Sequence, residues 1–357
     1  MIKNTNNKEL RKTNHFVSKS YLKNWCGDDN KLYTYNTLVW NTKVPLWKKY
    51  SPSAVAYHSH LYTRLGNKGL DDAIERWFAD DFESPAQRAI DRALKGSKLS
   101  RDDWNKLIRF VALHDARSPA RLITHLENMP QDLSEILEDI AKEIQHPKFI
   151  NSEPTNHGGI ERHNPLPVKI IPVKENNETF LKIESYVGRS TWLYNLKYIL
   201  TNTIKVLHKH RWTIVHPYKG MKWFTSDNPI VRLNFINFDK YDLKGGWDVK
   251  QGNILFPLSP EHLLFTEMGT RPPIKGSCFD KDKTVFIRKI IAENAYRKIF
   301  TIEPEPEILK YSPRIINEKL CKAEKNMWDT WHTKNLSMEE KYSNATFIPE
   351  SDSNPLR

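Results

Sequence analysis

The apolar residues of this chain change period along its length, and that change predicts the architecture. Between residues 70 and 95, Ile74, Trp77, Phe78, Phe82, Ala86, Ile90 and Leu94 recur at steps of three and four, the spacing that lines one face of a helix. Pro85 predicts a break or kink there, because proline lacks a backbone donor and clashes with the preceding turn. A second stripe, Trp104, Leu107, Ile108, Val111 and Ala112, follows Ser100, a candidate N-cap with Asp102 and Asp103 in the first turn. Pro119 interrupts this helix just beyond Arg117. An acidic third helix is expected over 133–144, and another over 184–208, carried by Trp192, Leu196, Ile199, Ile204 and Leu207.

From Arg211 the period shortens. Apolar runs at 212–216, 222–225, 230–234, 253–257 and 262–266 are separated by turn residues and read as an antiparallel sheet. Helix returns over 281–298, a strand follows at 299–302, and a last helix is expected over 313–336. Near the start, Leu32 to Tyr35 reads as a short strand after the turn at 27–30, and 61–63 as another. Residues 146–174 hold five prolines and the pair Gly158-Gly159, which predicts a loop acting as lid or linker. The polar residues 1–13 are expected to be disordered and 337–357 to form a flexible tail.

The expected fold class is therefore α+β. A helical lobe near 65–210 packs on an antiparallel sheet lobe at 211–303, together forming one domain over 14–303. The N-terminal segment should pack back toward the sheet, and the segment 304–336 should cap the assembly. There is no internal repeat.

Composition adds limits. The 11 Trp, 14 Tyr and 15 Phe give ample core material. No apolar run approaches the roughly 20 residues that span a bilayer, and the first residues lack the apolar segment of a secretory signal. A cytoplasmic protein without a membrane partner is expected. Cys26, Cys278 and Cys321 are widely spaced, which suits a reducing compartment and argues against a thiolate zinc site. The pairs His58/His60 and His208/His210 lack neighbouring third and fourth ligands, so no metal site is expected. No Walker A, GxGxxG or GxSxG motif occurs, and no cofactor is indicated.

Charge brings in a partner class. The net charge is +12, and residues 1–60 hold ten Lys/Arg against three Asp/Glu. A basic surface attracts nucleic acid or another polyanion; solvated lysines without a partner are the plainer reading. Residues 16–50 interleave bases with aromatics, the pattern of single-strand binding surfaces. Lys19, Lys23, Trp25, Lys48 and Lys49 are the nucleic-acid-binding candidates. The same aromatics read equally well as the core of an N-terminal sheet.

Several motifs together carry a resemblance. Asn14-His15-Phe16-Val17 with Tyr21, Leu22, Asn24 and Trp25 resembles the opening of the DUF4238 family, with Ser18 where that family usually has proline. Arg117-Ser118-Pro119-Ala120-Arg121 resembles its Arg-Thr-Pro…Arg helix end. Ser226-Asp227-Asn228-Pro229 resembles its central turn, and Phe256-Pro257-Leu258-Ser259-Pro260 its Phe-Pro-Leu-Ser-Pro strand. Asn294-Ala295 also fits. The likeness covers roughly 14–303 and transfers no catalytic role; it marks His15, Arg117, Arg121, Asp227, Asn228 and Asn294 as positions to watch.

Their chemistry allows two readings. His15 as general base, Asp227 and Asn228 as ligand or anchor, and Arg117 as phosphate clamp would suit a phosphodiester hydrolase acting on nucleic acid or nucleotide, with a defence or toxin role. The alternative is a non-catalytic module that binds a polyanion or a protein. Asp-Asn-Pro is also a turn device, since Asp and Asn bond local backbone and Pro fixes φ. A cation at Arg117 also complements the helix C-terminus. Glu75 and Glu83, eight residues apart, read as a solvated helix face rather than a metal pair.

Overall fold

The structure, a computed structural model, describes residues 10–66, 69–144, 166–175, 178–342 and 346–348. It has the expected α+β class. The first helical stripe forms Ala73–Phe78, a π-turn over Ala79–Glu83, and Ser84–Leu94, in unbroken succession. Pro85 does not end it. The carbonyl of Asp81, at the π-turn before Pro85, accepts from Arg109 Nη2 at 3.4 Å.

Ser100 caps Arg101–Ala116 as expected. Its Oγ accepts from Asp103 N at 3.1 Å, and the Asp103 carboxylate accepts from Ser100 N at 2.7 Å. Pro119 starts a new helix, Pro119–Ile144, where a proline N–H would have no partner in any case. The expected helix at 133–144 is the second half of this longer one. The stripe at 184–208 divides into Arg189–Thr201 and a tighter 3-10 stretch, Thr203–Lys209.

The sheet region divides in two. Five antiparallel strands run in the order Trp212–Val215, His262–Glu267, Gly252–Ser259, Val231–Asn237 and Lys240–Asp242. Four others run in the order Thr225–Ser226, Lys298–Thr301, Leu32–Asn36 and Trp47–Tyr50. The N-terminal segment thus returns to a sheet, but to one it builds with residues 225–226 and 298–301. Pro257 sits in the central strand of the five without harm. Pairing with 231–237 ends at Leu255, so the missing N–H falls beyond that neighbour.

Part of the expected loop at 146–174 is strand. Leu166–Glu175 pairs with Glu178–Glu184 over residues 169–175 and with Thr346–Ile348 over residues 166–168. Among the described residues each position of it has one ladder neighbour, which accommodates Pro167 and Pro172. Residues 146–165 lie outside the described residues. The segment 61–63 is bent, and the short strand near it is Arg64–Gly66. The helix expected over 281–298 closes at Glu293. The last helix is Glu318–Lys341, so it takes in five residues of the expected tail; Asn317 Oδ1 caps it by accepting from Leu320 N.

One main core joins most of these parts, with smaller apolar clusters around Leu133 and around Tyr186. It includes Trp25, Tyr62, Phe110, Trp192, Trp223, Phe256, Ile287, Phe300 and Trp331. Among the described residues no helix is long and apolar enough to cross a membrane.

Candidate functional site

The turn at 226–229 lies between two strands of different sheets, and its polar atoms are engaged by the chain itself. Asp227 is 2% exposed. Its carboxylate accepts three backbone bonds, from Tyr296 N (2.9 Å), Arg297 N (2.8 Å) and Lys298 N (2.9 Å). Those amides, on half-buried residues, lead into the strand Lys298–Thr301, and the carboxylate gives them their acceptor. Burial pushes the Asp227 carboxyl up to about 6, against the pull of these amides and the Lys298 charge. Asn228 and Asn294 clasp each other. Asn228 Nδ2 donates to Asn294 O at 2.9 Å, and Asn294 Nδ2 donates to Asn228 O at 2.7 Å and to Ile230 O at 3.0 Å.

Arg117 holds the N-terminal block. It is 1% exposed at the end of Arg101–Ala116. Its Nε donates to Phe16 O at 3.1 Å, and its Nη2 donates to Ser18 Oγ at 2.9 Å and to the Glu83 carboxylate. Ser18 Oγ in turn donates to Glu83 Oε1 at 2.6 Å. Ser18 N donates to His114 Nε2 at 3.2 Å, so that nitrogen is the acceptor and the proton sits on Nδ1, which donates to Phe110 O at 2.9 Å. Burial, with the Arg117 charge, holds His114 down at about 3. The ring is a neutral spacer inside the cluster.

These clusters join. Ser118 Oγ donates to Asn228 Oδ1 at 3.0 Å. Tyr21 Oη donates to Pro257 O at 2.6 Å; its single proton is then used, so Thr225 Oγ1, also at 2.6 Å, donates to it. Asn24 Nδ2 donates to Leu258 O at 3.1 Å. The blocks at 14–25, 117–121, 225–229, 256–260 and 294–298 are therefore bonded to one another directly. Arg121 lies beside this network and gives Nε to the buried Asp115 at 2.9 Å; Asp115 also receives Trp247 Nε1 at 2.7 Å.

His15 differs from the other candidates. It is 8% exposed, and its Nε2 has no partner among the described residues. Burial, then the charges of Lys19 and Arg117, lower it to about 4. Glu75 Oε2 is likewise buried without a partner among the described residues. The solvated-face reading of Glu75 and Glu83 is corrected here, since both carboxyls turn inward toward Arg117. Burial raises Glu75 to about 7, with Arg117 opposing and Glu83 adding to the rise. A carboxyl raised above its unfolded value contributes stability that is complete below about 4.5 and is lost as pH climbs through 7. Glu75→Gln should then raise the melting temperature by about 2–4 °C at pH 8 and hardly at all at pH 5. Thermal unfolding at both pH values checks this; equal shifts would count against it.

A cleft of about 240 Å³ opens beside Asp227, lined by Phe16, Tyr57, His58, Tyr296, Lys298 and Trp328 among others. His58 stacks on Trp328 at 3.7 Å between ring centres. The candidate nucleic-acid residues lie elsewhere. Lys19 and Lys23 are exposed on the first short helical turns, and Lys48 and Lys49 on the edge strand Trp47–Tyr50. Trp25 departs from that set: it is fully buried against Tyr21, so its ring offers no face to a base. Among the described residues, no group of three or more His, Cys, Asp or Glu could hold a metal ion.

Sequence reasoning passed over two groups. His114 and Asp115 continue the apolar stripe of their helix past Val111 and Ala112; a polar residue on such a stripe signals a buried network. The second group ties the last helix down. Arg189 gives Nε and Nη2 to the two Glu339 oxygens at 2.9 and 2.7 Å, and Arg189 N donates to Asn335 Oδ1 at 2.6 Å. Gly188 permits that approach, because a Cβ there would stand 2.7 Å from Asn335 Oδ1.

Comparison with known proteins gives one match. The family model described as protein of unknown function (DUF4238) matches residues 13–304. No curated protein and no solved structure matches the chain.

Proposed function

Because the chain belongs to the DUF4238 family, whose function is unknown, we propose its role from its own geometry: a non-catalytic module that holds a polyanion of the single-stranded nucleic-acid class. The observation that carries this is the basic edge at residues 19–50. Lys19 and Lys23 are exposed on consecutive short helical turns and Lys48 and Lys49 on an edge strand, and only Lys49 has a carboxylate partner, Asp29 at 2.8 Å, among the described residues. Lys48 stands over the Tyr50 ring on one face of the edge strand and Lys49 over Tyr33 on the other, so each face pairs charge with half-exposed aromatic surface. Arg117, Asp227 and Asn228, by contrast, give their polar atoms to the fold, which favours binding over hydrolysis.

The test is fluorescence anisotropy with a labelled single-stranded RNA over a salt series. With three or four phosphates engaged, log K should fall with log salt at a slope of about −2 to −3. Lys19→Glu/Lys23→Glu/Lys48→Glu should weaken binding at least about tenfold and flatten the slope. Unchanged affinity in that variant would remove the proposal. Cleavage of the RNA that disappears in His15→Gln would replace it with the hydrolase reading.

A further inference from the structure

A small cavity of about 120 Å³ lies where the end of the Ser84–Leu94 helix meets the edge strand Trp212–Val215. We infer that it is a binding site for a small oxyanion of the phosphate class, built from Lys275, His216 and His262. This goes beyond the polyanion reading and uses none of its residues.

The charge inventory is one-sided. Lys275, His216, His262, Gly96, Gly276 and Ile214 line the cavity, and among the described residues no carboxylate does. Lys275 Nζ donates to Ser97 O and has no carboxylate partner among the described residues. An ammonium has three hydrogens, so donors remain for a ligand. Arg92 is the nearby cation, and it already faces Asp103 at 3.4 Å. His216 Nδ1 lies 2.7 Å from Glu261 O, and a carbonyl only accepts, so the proton sits on Nδ1. His262 Nδ1 lies 2.9 Å from Ser259 Oγ, and the two rings meet edge to face at 4.8 Å.

The titration behaviour agrees with this geometry. Burial, then His216 and Lys275, hold His262 down at about 4. Burial and Arg92 push Lys275 down. At neutral pH His262 is therefore uncharged and Lys275 supplies the positive charge of the cavity, so an anion seated there would pair with Lys275 and favour the protonated form of His262. The volume exceeds the ~30 Å³ share of one water and falls below the ~300 Å³ of a drug-sized pocket. Gly96 (φ +67°) and Gly276 (φ +85°) both have open space where a Cβ would stand. A tetrahedral oxyanion suits that room.

Titration calorimetry at low chloride tests the site, with inorganic phosphate in one arm and AMP in the other. Phosphate should bind with a stoichiometry of one. Lys275→Met should weaken it at least about tenfold, and His262→Gln should weaken it measurably, each with an unchanged circular dichroism spectrum. AMP binding as tightly as phosphate would identify a nucleotide phosphate as the natural source; phosphate alone binding would identify the free ion. No phosphate heat, or full affinity in the folded Lys275→Met variant, would overturn the inference. Loss of phosphate binding with RNA binding intact would leave the basic edge standing, and the reverse would leave this site.

Discussion

Asp227→Ala is expected to destabilise the chain by about 2–4 kcal/mol, as three backbone N–H groups on half-buried residues lose their acceptor at about 1–3 kcal/mol each and water in the adjoining cleft recovers part. The three donors are Tyr296, Arg297 and Lys298, and they fix the start of a strand two places from the N-terminal edge of its sheet. Asp227→Asn should fall between wild type and alanine, since one amide oxygen still accepts while the NH2 faces a donor. The pH dependence has a definite sign. With its carboxyl raised from 3.8 to about 6, Asp227 contributes stability that is complete below 3.8 and declines as pH rises through 6. That component should vanish in Asp227→Asn. Urea unfolding of the three proteins between pH 4 and 8 measures both effects, and an alanine variant as stable as wild type would refute the anchoring role.

Arg117→Met should cost about 3–5 kcal/mol, the loss expected when one partner of a buried ion pair is removed. Arg117 is fully buried and bonds Phe16 O, Ser18 Oγ and Glu83, so its removal unfastens the N-terminal block and strands a carboxylate. Glu83 is held below its ordinary value by Arg117 and Ser18 despite burial. Its contribution is therefore present above the unfolded carboxylate value near 4.5 and is lost as pH falls through the lower folded one. Without Arg117, burial, the largest influence on Glu83, outweighs the Ser18 bond and the slope should reverse. Adding Glu83→Gln to Arg117→Met should recover a large share of the loss by removing the unpaired charge. A double variant no more stable than the single one would show that the guanidinium packing over Phe78, not the charge, carries the effect.

Much of this was legible in the chain and some was not, for physical reasons. Periodicity identified the helices around Trp77, Leu107 and Trp192 because their apolar stripes are long. It placed the strand at 212–215 and its partners because turn residues bound them. At Pro85, where proline predicts a break or kink, the run continues through a π-turn over Ala79–Glu83. Periodicity failed at 166–175, where prolines signalled loop although among the described residues each has a ladder neighbour on one side. The polar blocks were visible as motifs, but their joining was not. Ser118 meeting Asn228, or Tyr21 meeting Pro257, depends on packing between segments more than a hundred residues apart. The basic edge was legible as composition, whereas the burial of Trp25 needed the sheet in place.

The last helix has a consequence for what counts as one heritable piece. The family match ends at residue 304, yet Arg189, inside the match, finds its carboxylate at Glu339, outside it. The stretch that descent makes recognisable is thus shorter than the stretch that closes its charge balance. A relative that shares residues 13–304 but ends in a different appendage must supply a carboxylate of its own at this point, or carry something other than arginine at position 189. Position 189 is accordingly where divergence among relatives should track the tail rather than the matched domain.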